Sequence, residues 1–153
     1  MSTENKLLAA TKLFLEQEIT QVVGKLAYGW PVLLPNRTEK KVYPCITIEI
    51  EDSEESIPNT GNMDTIYEVS IESPYSGKDK ITEADHRSVV EQVYSALCDN
   101  AGFRAMANDG TRAFSPFFCY RTYVMSAIPD PTASKKILTS TISMRAVHIG
   151  GNG

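Results

Sequence analysis

Apolar residues near the start of the chain recur at helical spacing. Leu8, Leu15, Ile19, Val22 and Leu26 form one stripe, and Leu7 and Phe14 widen it, which predicts an amphipathic helix over residues 3–28. Gly24 weakens that helix by up to ~1 kcal/mol relative to alanine. Gly29 and Pro31 supply its stop, and Trp30 with "PVLLP" reads as a short extended piece anchored by an aromatic ring. At Val42 the period changes to two. Val42, Ile46, Ile48 and Ile50 share one face, with Cys45, Thr47 and Glu49 on the other, and Pro44 places the start at an edge or before pairing begins. Residues 51–62, "EDSEESIPNTGN", have loop composition. From Met63 to Ser73 Tyr67, Val69 and Ile71 oppose Ile66, Glu68, Ser70 and Glu72, so the two runs form a hairpin with a long tip.

"SPYSGKDK" is a loop, after which Thr82 followed by Asp85 resembles a capping box. The helix it opens buries Val89, Val90, Val93 and Leu97 and runs to about Cys98, with Asn100 and Gly102 ending it. A variable stretch leads to Pro116. Phe117–Ile128 is strand-like, "PDPTAS" is a turn, and Lys136–Ile149 alternates with Leu138, Ile142, Met144 and Ala146 on one side. The predicted order is α-β-β-α-β-β. Strands in hairpin pairs imply an α+β fold, an antiparallel β-sheet with two main helices packed on one face. A single domain is expected over residues 1–149, with 150–153 as a flexible tail.

Composition narrows the class. The 153 residues bury roughly 70% of their unfolded surface if they form one domain. A net charge of −4 argues against generic nucleic-acid binding, which needs a basic face. No apolar run reaches the ~20 residues of a membrane span. "MSTENKLLAATKLF" lacks a basic start followed by an apolar core, so no signal peptide is expected and the Asn36-Arg37-Thr38 sequon carries no meaning. Cys45, Cys98 and Cys119 are odd in number and widely spaced, which fits reduced, mostly buried thiols better than zinc or a disulfide framework. The spread of charge says more. Val42–Gly77 holds eight acids and no Lys or Arg, whereas Thr111–Gly153 holds Arg112, Arg121, Lys135, Lys136 and Arg145 against Asp130 alone. A self-associating protein can match one region to the other across subunits.

Candidate chemistry does not assemble. Glu49, Glu51, Asp52, Glu54 and Glu55 crowd five carboxylates into seven residues, but Asp52-Ser53-Glu54 lacks the Gly and the closing Glu of a calcium loop. On one solvated tip they also fail the geometry of a glycosidase pair, which must flank a cleft. His86 and His148 have no partner at ligand spacing and read as surface or core-edge residues. No G-x-S-x-G is present. "SGKDK" fails as a phosphate loop, because Glu72 stands where the first Gly belongs and Asp79 where the hydroxyl belongs. Tyr120, Arg121 and Tyr123 mimic a base-stacking platform, but the acidic partner strands favour a packed or interfacial aromatic set. The expectation is no enzyme, no cofactor and no metal.

The layout resembles the tail terminator (tail-completion) proteins of tailed bacteriophages. The resemblance rests on the long first helix, the Pro-initiated alternating strands, the long-tipped hairpin, "HRSVVEQVYSAL" and the closing "ILTSTISMRAV". The closest echoes are "GWPVLLPN" and "IPDPTASKKILTSTISMRA", and the match runs to about Ile149. It implies a structural virion protein of the tail or neck, present in the host cytoplasm during assembly. It implies a homohexameric ring that caps the tail tube, stops its polymerisation and joins the tail to the head connector, with genomic DNA passing through the lumen. The family has no catalytic residues to carry over. From the charge split, a subunit or lumen interface is expected at Glu49, Glu51, Asp52, Glu54, Glu55, Arg121, Lys135, Lys136 and Arg145. Another head–tail joining protein, or a non-viral ferredoxin-like binding domain, stands as the alternative.

Overall fold

The structure is a computed structural model that describes residues 3–35, 40–58 and 60–150. Side chains of residues 3–5, 57 and 150 are outside that description, as are the 36–38 sequon and the end of the tail. The elements are α1 (Thr3–Leu15), β1 (Val32–Leu33), β2 (Cys45–Ile57), β3 (Asn62–Pro74), α2 (Glu83–Leu97), α3 (Asn100–Ala107), β4 (Phe117–Val124), β5 (Thr132–Ser134) and β6 (Ile137–Gly150). This is an α+β fold. The strand order is β1-β2-β3-β6-β4, with β5 beside the start of β6. Pairing is antiparallel except for the parallel contact of β1 with Ile46 and Thr47.

Alternation decides which face meets the helices. Ile46 and Ile48 of β2, Tyr67, Val69 and Ile71 of β3, and Ile142, Met144 and Ala146 of β6 are buried together with Leu7, Phe14, Val89, Val93 and Phe103. Each such side chain withdrawn from water contributes ~1.5–3 kcal/mol before entropy is counted. Thr82 caps α2 by accepting from the Asp85 amide at 3.1 Å, as its sequence predicts. Among the described residues no helix packs on the opposite sheet face.

Several expectations are corrected. The first helix does not reach residue 28. After α1 comes a π-helical turn, Glu16–Thr20, then a chain of turns in which Gly24 adopts φ +96° and Leu26 is exposed. A left-handed residue cannot continue an α-helix. Residues 51–57 are strand, not loop, since β2 runs on to Ile57 against β3. Asn100 and Gly102 do not end a helix but belong to α3, whose N-cap Asp99 accepts from the Gly102 amide at 3.0 Å. Strand β4 stops at Val124, and "PTAS" includes β5. Val42 is exposed rather than on the core face. Cys45 and Cys119 are buried, whereas Cys98 is exposed.

Candidate functional site

The face of the sheet turned away from the helices carries Glu49, Asp52, Glu54, Arg121 and Arg145, whereas Glu55, opposite Met63, falls in the other alternation and Lys135 and Lys136 lie in a turn. Register places Glu49 opposite Glu68, Asp52 opposite Ile66, and Glu54 opposite Asp64. The irregularity between Ile50 and Asp52 lets Glu51 turn the same way, close enough to Glu68 to interact with it. Glu49, Glu51, Asp52, Glu54 and Glu55 are all exposed. The Glu68 carboxyl is raised above its ordinary value, first by burial and then by Glu51 and Glu49. A strand bearing this much like charge repels a second copy of itself. Beyond Thr47 its outer edge has no partner strand among the described residues.

The basic candidates do not lie together. Arg145 is committed within the chain. Its Nε donates to Asp64 Oδ1 at 2.7 Å, and its Nη2 donates to Oδ2 of the same carboxylate. This two-pronged pair holds the Asp64 carboxyl below the usual range. Lys135 and Lys136 form the two-residue turn between β5 and β6, both with left-handed backbone (φ 48° and 65°), and both are exposed. They stand at the far end of β6 from Arg145. Arg121 lies on β4, exposed, its guanidinium 4.9 Å from the Tyr123 ring centroid.

Strand β4 adds exposed aromatics, of which the sequence pattern singles out Tyr120 but not Phe118. Phe118 and Tyr120 are 40% and 47% exposed and meet edge-on at 5.0 Å. The backbone edge of β4 is closed by α3 instead of by a strand. Asn108 Oδ1 accepts from the Cys119 amide at 2.7 Å, Asn108 Nδ2 donates to the Cys119 carbonyl at 3.0 Å, and Asn100 Oδ1 accepts from the Thr122 amide at 2.8 Å. Nothing in the pattern of the variable stretch announces this clasp.

Groups with catalytic potential are locked into structure. His86 and His148 are fully buried, not at the surface or core edge. His86 sits between Ser73 Oγ (2.7 Å) and Ser140 Oγ (2.9 Å), and burial, with Arg87 nearby, lowers its pKa. His148 Nε2 meets Thr65 Oγ1 at 2.8 Å, and that hydroxyl meets Ser53 Oγ at 2.9 Å. Burial pushes the Cys119 thiol up to about 11, which keeps it protonated and unreactive. Glu72 is held by Lys41 (2.8 Å) and Thr47 (3.4 Å) in a small buried cluster. Among the described residues no three His, Cys, Asp or Glu side chains are grouped to hold a metal ion. A groove of about 630 Å³ between the end of α1 and α2 is lined by residues that include Phe14, Glu18, Lys25, Ser88, Glu91 and Asp99. Among the described residues no helix is long and apolar enough to cross a membrane.

The architecture is thus a mixed sheet with helices on one face and a charged, partly aromatic surface on the other. A solved structure described as "Virion of native gene transfer agent (GTA) particle" contains a chain of similar fold. The TM-score is 0.65 at 14% identity, over 97% of this chain and 98% of that one. At that identity the likeness is one of fold. No family model and no curated protein matches the sequence.

Proposed function

We propose that this protein is a structural component of a phage-like virion, a tail terminator. In this reading, copies close into a ring of six that caps the tail tube, halts its growth and offers its other face to the head connector. The observation that carries the reading is the full-length likeness of fold to a chain of a gene transfer agent virion. The surface supports it. An open sheet face divided into an acidic strand and an aromatic, Arg-bearing strand suits repeated contact between copies. Glu49, Glu51, Asp52, Glu54 and Glu55 then face a neighbouring subunit or the lumen, where negative charge keeps DNA from adhering as it passes. Arg121, Lys135, Lys136 and Arg145 are the cationic candidates for the same contacts.

The test is tube assembly in vitro. Tail-tube protein from the same particle polymerises with and without this chain, and tube lengths are measured by electron microscopy. Addition at about one ring per tube end should shorten and narrow the length distribution. Unchanged lengths with retained binding to the head connector would favour a neck or joining role instead.

A further inference from the structure

We infer that the ring contact is made by the outer face of β4 on one copy against the acidic outer face of β2 on the next. The inference rests on the ring-forming reading and specifies where the ring is joined. Phe118, Tyr120 and Arg121 form an exposed patch, and Arg121 makes no ion pair among the described residues. Exposed aromatics beside an arginine are what the centres of protein interfaces are enriched in. The complementary charge sits across β3 and β6 on the same open face, at Glu49, Glu51, Asp52 and Glu54.

Three observations select this pairing. Like charge on β2 disfavours contact between two copies of β2, so its occupant must bring a cation. Arg145 is already spent on Asp64, and Lys135 and Lys136 lie roughly 27 Å further along β6 at ~3.4 Å per residue. Arg121 is therefore the cation available at the acidic end of the sheet. Finally, β2 and β4 flank β3 and β6 from opposite sides. A copy that presents β4 on one side and β2 on the other makes a heterologous contact, which closes into a ring when the rotation allows. Because α3 closes the backbone edge of β4, the contact is between side chains and does not extend the sheet.

The experiment uses the full chain with exposed Cys98 replaced (Cys98→Ser). One preparation carries Tyr120→Cys and another Glu51→Cys, and the two are mixed on tail tubes and oxidised. Covalent dimers should form in the mixture and in neither preparation alone. A single chain with both substitutions should yield a ladder ending at the ring size. Separately, Arg121→Glu should reduce ring formation at least tenfold, Arg121→Lys should largely retain it, and Arg121→Glu with Glu51→Arg should restore it. Lys135→Glu with Lys136→Glu should change it less than twofold. Rings that form normally with Arg121→Glu and without cross-links overturn this inference and leave the ring reading intact. If the unsubstituted chain never forms rings, even on tubes, the ring reading itself fails.

Discussion

His86 illustrates how much one buried side chain can decide. Its two ring nitrogens join α2 to β3 and β6 through Ser73 and Ser140. His86→Ala leaves two buried hydroxyls without their partner and a void, and should cost about 2–4 kcal/mol, read from the urea midpoint at constant slope. The pH dependence follows from its lowered pKa. Above the unfolded value near 6.5 both states are neutral and the contribution is complete. Below that value the unfolded chain binds a proton that the folded chain resists, so stability falls with pH. Urea midpoints should drop between about pH 7 and pH 5, and His86→Gln should flatten that drop. The Asp64–Arg145 pair works in a lower range. Its lowered carboxyl contributes above the unfolded value of 3.8 and loses that contribution as pH falls further. Arg145 is partly exposed, so solvent screening limits the gain. Arg145→Ala and Asp64→Ala should each lower the urea midpoint slightly, and the double variant by less than the sum of the two.

At the scale of elements, the α3 clasp on β4 is the most exposed to test. Asn108 satisfies both the amide and the carbonyl of Cys119, doing the work of an absent neighbouring strand. Asn108→Ala should destabilise the fold by about 1–2 kcal/mol and, by opening the edge, raise aggregation measured by light scattering on mild heating. Neither the clasp nor α3 was legible beforehand. Asn100 and Gly102 read as a stop, yet Asp99 caps a new turn in the same place. Strand β2 shows the same conflict between local and long-range preference. Asp, Ser and Glu are poor strand formers, so residues 51–57 read as loop, but β3 continues opposite them and its partner β6 continues beyond that. By contrast, α2, the alternation of β3 and β6, and the Thr82 cap were plain from spacing, because periodic burial leaves its mark on sequence. The helix stripe overran past Thr20, where the apolar period persists but the backbone passes into turns, Gly24 among them.

The whole molecule separates its charges along and across one sheet. The five acids stand out in composition, and all five are exposed along β2. The four cations had to be sorted by geometry: one paired internally, two at the opposite end of β6, one beside exposed aromatics. No alternation in the sequence carries that distinction, since ion pairing depends on register across strands. If the acidic strand faces a neighbour through Arg121, ring formation should weaken as salt rises from about 50 to 500 mM, followed by sedimentation velocity. The proposed role requires that copies of this chain close into a ring on the end of a tail tube. It is tested most directly by electron microscopy of tube ends after incubation with the purified protein. A single layer of added density with sixfold symmetry at one end, and no further tube growth there, is the expected result. Bare ends that continue to elongate at saturating protein would contradict it.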